Sequence, residues 1–257
     1  MKVLRTIVHH APQCSYLPDR SSSLDARIAL EVTPTQLGQM LSRGWRRFGP
    51  TYFRPRCAPC RECVGIRVRV ADWTPSRSQR RVLKQNRDVE LVVSEPRVTR
   101  ERLDLYAKWH SFRERERGWD PSNLDGESYE IDFAFPHPAA REFTYWIPDE
   151  RGRKRLVAVG IVDEVPDALS AVYCYYDPAL ADRSLGVLNV VSQLELAQRS
   201  GLSFVYLGYR VAECRSMTYK SRFEPHELLF DRPDDDEAPR WVDSASIASG
   251  QSVARPR

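Results

Sequence analysis

Cys57, Cys60 and Cys63 repeat a C-x2-C-x2-C spacing that can deliver three thiolates from one short loop. Zinc and iron–sulfur clusters need about four soft ligands. Cys14 is the candidate fourth. Unligated structural or redox-sensitive thiols, and disulfides, are the other readings of such a cluster. The flanking arginines bias these thiols toward thiolate. Cys174 and Cys214 stand alone and read as buried, inert thiols. A second group lies further on. Tyr176-Asp177 ends an apolar run, and Ser184-Leu185-Gly186 opens a helical pattern. The free N–H groups of a helix start favour a phosphate or a developing oxyanion, and a glycine there admits close approach. A plain helix cap reads equally well. Tyr209, Lys220 and Arg222 follow: the tyrosine can line a pocket, and the two cations can hold a phosphate or a carboxylate.

The charge distribution points to a polyanion. Residues 43–87 carry thirteen Arg or Lys and two acids, while the whole chain nets only +4. Arg77, Arg80, Arg81 and Lys84 fall at helical spacings, with Arg87 beyond. Arg43, Arg46, Arg47, Arg54 and Arg56 surround Trp45, Phe48, Tyr52 and Phe53. Arginines among aromatics suit single-stranded RNA, whose bases stack while its phosphates pair with guanidinium groups. A solvated cationic surface over an aromatic core is the blander reading. No stretch approaches the ~20 apolar residues of a membrane span, and no signal-peptide pattern opens the chain. The expectation is a soluble cytoplasmic protein. A Gly-rich phosphate loop is not found.

The elements that must position these residues follow from periodicity and capping. Thr33-Pro34-Thr35-Gln36 reads as a helix start. Residues 48–56 read as a strand, and Val64, Ile66, Val68 and Val70 alternate with arginines in a second one. A basic helix over 77–87, a strand over 89–93 and a long helix from Thr99 to about Glu116 come next. Strands follow over 143–147, 156–163 and 169–176, then a helix over 184–200, a strand over 202–209 and a short helix over 213–222. The class is mixed α/β. Strand, loop, helix and returning strand are how acyl-CoA N-acyltransferases hold their donor. Two units and a tail are expected: 1–95 with the cysteines and the basic segment, 96–230 with the catalytic groups, and 231–257 as a disordered tail.

In order, these pieces resemble the aminoacyl-tRNA–protein transferases of the N-degron pathway, closest to their bacterial aspartate/glutamate leucyltransferase branch. The carrying residues are Pro12-Gln13-Cys14-Ser15-Tyr16-Leu17-Pro18, Arg43-Gly44-Trp45-Arg46-Arg47, and Tyr52-Phe53-Arg54-Pro55 with the three cysteines. Ser78-Gln79-Arg80-Arg81, Tyr176-Asp177-Pro178, Ser184-Leu185-Gly186, Tyr206-Leu207-Gly208-Tyr209, Met217, Tyr219-Lys220, Phe223 and Pro225 continue it. The chain departs from the leucyl pattern at Phe48, Leu188, Arg210 and Ser216, which bears on the donor rather than on the reaction class. The resemblance implies a cysteine-bearing N-terminal module and a C-terminal domain like the acyl-CoA N-acetyltransferases (GNAT-like). It implies transfer of leucine from leucyl-tRNA onto proteins with N-terminal Asp or Glu, marking them for degradation. No cofactor is required, and a structural zinc or iron–sulfur centre at the cysteines is the associated expectation. Tyr176 and Asp177 would orient the acceptor amine. Ser184 and Gly186 would bind the donor's 3′ end or the tetrahedral oxygen. Lys220 and Arg222 would engage phosphate or carboxylate beside Tyr209, and the Arg77–Arg87 helix would hold the acceptor stem. An arginyl donor, an acyl-CoA-dependent N-acyltransferase and an RNA-binding module with structural zinc are the rivals.

Overall fold

A computed structural model describes residues 1–118, 120–122, 124–214 and 216–248. β1 (Lys2–Ala11) and β2 (Ser22–Leu30) form an antiparallel hairpin absent from the sequence-based assignment. β1 is exposed along nearly its whole length, so no buried face imposes the alternation that marks a strand. α1 (Pro34–Ser42) opens on a reciprocal cap: the Thr33 hydroxyl accepts from the Gln36 N–H, and the Gln36 amide oxygen accepts from the Thr33 N–H. The expected strand over 48–56 is a hairpin, β3 (Arg46–Phe48) and β4 (Thr51–Pro55). Gly49 turns it at φ +50°, where any Cβ would strike the Ile131 carbonyl. These four strands make one sheet in the order β1-β2-β4-β3.

The chain then crosses into a second layer. β5 (Val64–Arg69), the capped basic helix α2 (Arg77–Gln85) and β6 (Glu90–Ser94) are followed by α3 (Arg100–Arg117). Gly118, left-handed at φ +63°, ends α3. α4 (Gly126–Tyr129) precedes β7 (Ala140–Pro148), β8 (Lys154–Val165) and β9 (Ala168–Tyr176). α5 (Leu185–Arg199) leads to β10 (Phe204–Arg210), then β11 (His226–Phe230), β12 (Arg240–Asp243) and α6 (Ser244–Ala248). The eight strands of this sheet run β12-β11-β5-β10-β9-β8-β7-β6. The fold is the expected α/β class, a mixed sheet with flanking helices.

The connection that matters is β9–α5–β10, the expected strand–helix–strand unit with a parallel return. The two strands pair only where Ala168, Leu169 and Ser170 face Phe204, Val205 and Tyr206. Past Ser170 and Tyr206 they part, which opens a split in the sheet. One face is closed by α5, with Leu185, Val191 and Leu194 fully buried. The other is closed by α3, whose Tyr106 packs edge-on against Tyr175. The first sheet joins the second through Arg47, whose guanidinium pairs with the carboxylate of Asp163 inside the junction. Deleting either partner of such a buried pair costs about 3–5 kcal/mol.

Two boundaries differ from expectation. The division at residue 95 does not divide the sheet: β5 lies between β10 and β11, and β6 edges β7. The tail is not wholly disordered. β12 pairs with β11, Arg54 donates to Pro233 O and Asp234, and Arg27 pairs with Asp235. The acidic run balances arginines buried in the first layer, which composition alone does not show. Residues 249–257 lie outside the described residues.

Candidate active site

The split between β9 and β10 gathers polar groups from both ends of the chain. Gly208 bulges at φ +81°, and a Cβ there would lie 3.5 Å from Lys220 Nζ and 3.6 Å from Arg46 Nε. Lys220 Nζ donates to the Tyr209 carbonyl at 2.9 Å. Arg46, 9% exposed, donates to the carbonyl of Ala171, the first β9 residue past the paired stretch. Burial, then the Arg46 charge, pulls the Lys220 ammonium down to about 7. Burial likewise pulls the Arg46 guanidinium below its ordinary value. The sequence suggests an RNA-binding surface for Arg46; instead it lies inside, and Arg47 and Arg54 are buried with it. Trp45 is held between the guanidinium groups of Arg27 and Arg54 at 4.2 and 4.6 Å, so this part of the basic run is a junction rather than a polyanion surface.

A second cluster forms where β9 ends. The Tyr176 ring lies 4.1 Å from Trp109 of α3 between centroids, and a Cβ on Gly186 would sit 3.4 Å from it. Arg113 stacks 4.0 Å over Trp109 and donates to the Tyr176 hydroxyl at 3.4 Å. Ser184 takes a left-handed conformation at φ +55° and makes no side-chain cap. The first-turn amides of α5 therefore have no side-chain acceptor, as an anion site at that helix start requires. Tyr176 and Gly186 thus lie against each other, with Ser184 at the α5 start beside them. Trp109 and Arg113 carry no motif that marks them as functional in the sequence, although their i,i+4 spacing on a helix puts them on one face. Burial pushes the Tyr219 phenol up to about 12, with the nearby Cys174 and Tyr176 adding to it. Tyr219 thus connects this cluster to its neighbour Lys220.

Three residues depart from expectation. Asp177 does not offer a free carboxylate to an amine. One oxygen takes Lys108 Nζ at 2.6 Å and the Ala179 N–H at 3.0 Å, and the other takes Arg155 at 2.9 Å. Burial pushes its carboxyl up, but Lys108, the Ala179 N–H and Arg155 outweigh that and hold it below the ordinary carboxylate range. It caps the turn at 178–183. Tyr209 does not line the split with its phenol, which donates to Gly44 O at 2.6 Å and ties the two layers together. Arg222 is exposed, and its carbonyl accepts from Gln79 of α2.

α2 forms where the sequence places a basic helix, ending at Gln85 rather than Arg87. Arg77, Arg80, Arg81 and Lys84 are exposed, while Gln79 and Val82 face inward. Gln85 and Asn86 donate to the carbonyls of Asp182 and Arg183, which seats the basic helix beside the loop that feeds α5. The cysteines are all free thiols. Cys57 Sγ accepts from the Ser23 N–H at 3.3 Å, and Cys60 Sγ accepts from Arg20 at 3.6 Å. Cys63 is pushed up to about 12 by burial and by its neighbours Cys14, Cys57 and Cys60, against the expected drift toward thiolate. Among the described residues no three His, Cys, Asp or Glu side chains converge closely enough to hold a metal ion. An open cleft lies between the β1–β2 hairpin and the cysteine loop, beside His10, Ser22 and Pro59, and holds none of the groups around Lys220 or Tyr176.

Residues 101–230 match the family model described as "Arginine-tRNA-protein transferase, C terminus", and residues 12–81 match its N-terminal counterpart. The chain is 36% identical over 229 residues to an aspartate/glutamate leucyltransferase of Helicobacter hepaticus, covering 89% of this chain and 93% of that protein. A protein of the same name from Pseudomonas fluorescens is 37% identical over 89% of this chain and 92% of its own length. A crystal structure of FemX aligns with a TM-score of 0.44 at 9% identity, over 73% of this chain and 63% of that one.

Proposed function

The chain belongs to the arginine-tRNA-protein transferase family, and on that premise we propose that it moves leucine from leucyl-tRNA onto the N-terminal Asp or Glu of acceptor proteins in the cytoplasm, creating a degradation signal. The observation that carries the reading is the β9–β10 split with Arg46 and Lys220 at Gly208, together with the uncapped start of α5 against Tyr176 and the exposed basic helix beside it. The acceptor's α-amine, with a pKa of ~8, is partly neutral near pH 7. Its nitrogen attacks the ester carbonyl of leucyl-tRNA. The C–N amide bond forms, the ester C–O bond breaks, and the tRNA's terminal ribose hydroxyl leaves with a proton originating on the amine. The ester is already activated, so positioning and charge stabilisation supply the rate. The first-turn amides of α5 face the tetrahedral oxygen, with Gly186 giving it room against Tyr176. Arg113 on Trp109 offers a flat cationic platform for the terminal adenosine. α2 holds the acceptor stem through its exposed arginines.

The test is transfer to peptides beginning Asp, Glu, Lys or Ala from leucylated and, separately, arginylated tRNA, read by mass. Leucine on the Asp and Glu peptides alone, abolished by ribonuclease, is the expected result. Arginine in its place keeps the mechanism and moves the donor. No transfer from either tRNA by folded protein overturns the reading.

A further inference from the structure

Two cations stand in the β9–β10 split without an anion. Lys220 Nζ and Arg46 Nε both lie within 3.6 Å of the one position above Gly208 that a Cβ would take. Each spends one donor on a backbone carbonyl, Tyr209 for Lys220 and Ala171 for Arg46. Neither makes an ion pair with any carboxylate among the described residues. The carboxylate that acts on Arg46 from a distance, Asp163, is already held by Arg47. Other arginines buried at the junction are neutralised within the chain: Arg47 by Asp163, Arg102 by Glu142, and Arg54 by Asp25. Two desolvated like charges side by side are costly unless something bound in the working state compensates them.

We infer that Arg46 and Lys220 together form the pocket that reads the acidic side chain of the acceptor's first residue, a specificity element that rests on the transfer reaction proposed above. Arg46 has four N–H groups beyond its bond to Ala171, and Lys220 has two beyond its bond to Tyr209, enough to hold both oxygens of one carboxylate. Access favours a side chain over a nucleic-acid phosphate. A phosphodiester carries polymer on both sides, whereas Asp or Glu presents its carboxylate at the end of a short stem. Access is tight, since Arg46 is only 9% exposed. Gly208 carries no Cβ, and one built there would stand in ordinary contact with both cations, so a small group at that position reaches the two together. An acceptor seated there has its α-amine three bonds from the carboxylate carbon in Asp and four in Glu, so the same contact that selects the residue also places the nucleophile. A neutral Asn or Gln fits the same space but leaves both cations uncompensated, and a site built around a charge rejects such an analogue strongly.

The experiment compares peptides that differ only in Asp against Asn, and Glu against Gln, at the first residue. Wild-type protein and the variants Lys220→Met, Lys220→Arg and Arg46→Gln are used. Two readouts are taken: direct peptide binding by calorimetry without tRNA, and kcat/KM for transfer. The wild type is expected to favour the acidic peptide by on the order of a hundredfold or more, as removal of a charge-assisted bond implies. Lys220→Met collapses the acid-to-amide ratio at least tenfold, and Lys220→Arg retains most of it. Each variant is first shown to melt cooperatively, and Lys220→Arg, which keeps the charge, separates a loss of the pocket from a loss of the fold. Equal losses for acidic and amide peptides overturn the inference, as does a ratio unchanged while KM for leucyl-tRNA rises; the latter assigns the cations to the tRNA phosphate. Acid-selective binding without transfer of any amino acid keeps the pocket and sinks the transfer reading. Transfer without selective dependence on either cation does the reverse.

Discussion

Lys220 shows at the scale of one side chain how a site is held at a cost in stability. Its ammonium is down to about 7, against an ordinary lysine near 10.5. The facing groups are Arg46 from β3, which lowers it, and Cys63 and Cys214 from the flanking loops, which raise it slightly. Between these two pH values the unfolded chain binds more protons than the folded one, so this residue makes stability rise with pH across that window. Lys220→Met removes the effect. The Tm of the variant minus that of the wild type therefore shrinks from pH 7 to pH 10; a difference constant across that range contradicts the environment described. Asp177 is the opposite case. Its depressed carboxyl stabilises the fold above the ordinary carboxylate range, and that contribution is lost as pH falls below it. Asp177→Asn is expected to lower unfolding free energy by about 1–3 kcal/mol, with the transfer rate of the folded fraction within a few-fold of wild type. A hundredfold loss of rate at unchanged stability would return Asp177 to the chemistry. The residue types at this site are legible in the sequence, but their partners are not. Asp177 sits in a motif that reads as catalytic, and only the fold brings Lys108 and Arg155 onto it. Arg46 reads as one more surface arginine because a basic run looks the same whether its charges face water or a junction.

Elements with local causes are the ones that can be read from the chain. Thr33 and Ser76 each begin a reciprocal cap closed by a Gln three residues on, and both helices start there. The alternation at Val64–Val70 marks β5, and Gly201 follows the end of α5. The hairpin β1–β2 and the strand β12 escape because β1 is exposed nearly throughout and β12 is short and only partly buried, so neither shows a periodic buried face. α2 is the element whose function is most directly testable. Its buried side, Gln79 and Val82, holds it on the body, so the exposed cations can be changed without disturbing that packing. Reversing Arg77, Arg80, Arg81 and Lys84 to Glu one at a time is expected to weaken tRNA binding. Removing one phosphate partner should make the slope of log K against log salt shallower by about 1. Filter binding across a salt series checks this, and unchanged slopes would remove α2 from the tRNA interface.

On the scale of the whole molecule, the two layers share one fate. β5 comes from the N-terminal segment but is bonded on both edges to strands from the far end, β10 and β11. Tyr209 donates to Gly44, Arg47 pairs with Asp163, and the Trp241 ring N–H donates to Ser42 O. Urea unfolding is therefore expected to show one cooperative transition, coincident by tryptophan fluorescence and by circular dichroism. Separately expressed fragments 1–95 and 96–257 are expected to be insoluble alone. Two resolved transitions, or a folded 1–95 fragment, would show that the layers are independent.

The threading of β5 also sets a timetable for synthesis. A ribosome adds ~5–20 residues per second, so β5 emerges on the order of ten seconds before β10, and β11 comes later still. Throughout that interval the nascent chain carries a strand with two open edges, arginines on alternate positions and a thiol triplet just upstream. Nothing made so far can cover it, which makes the half-finished polypeptide a natural client for holding chaperones until its last strands arrive.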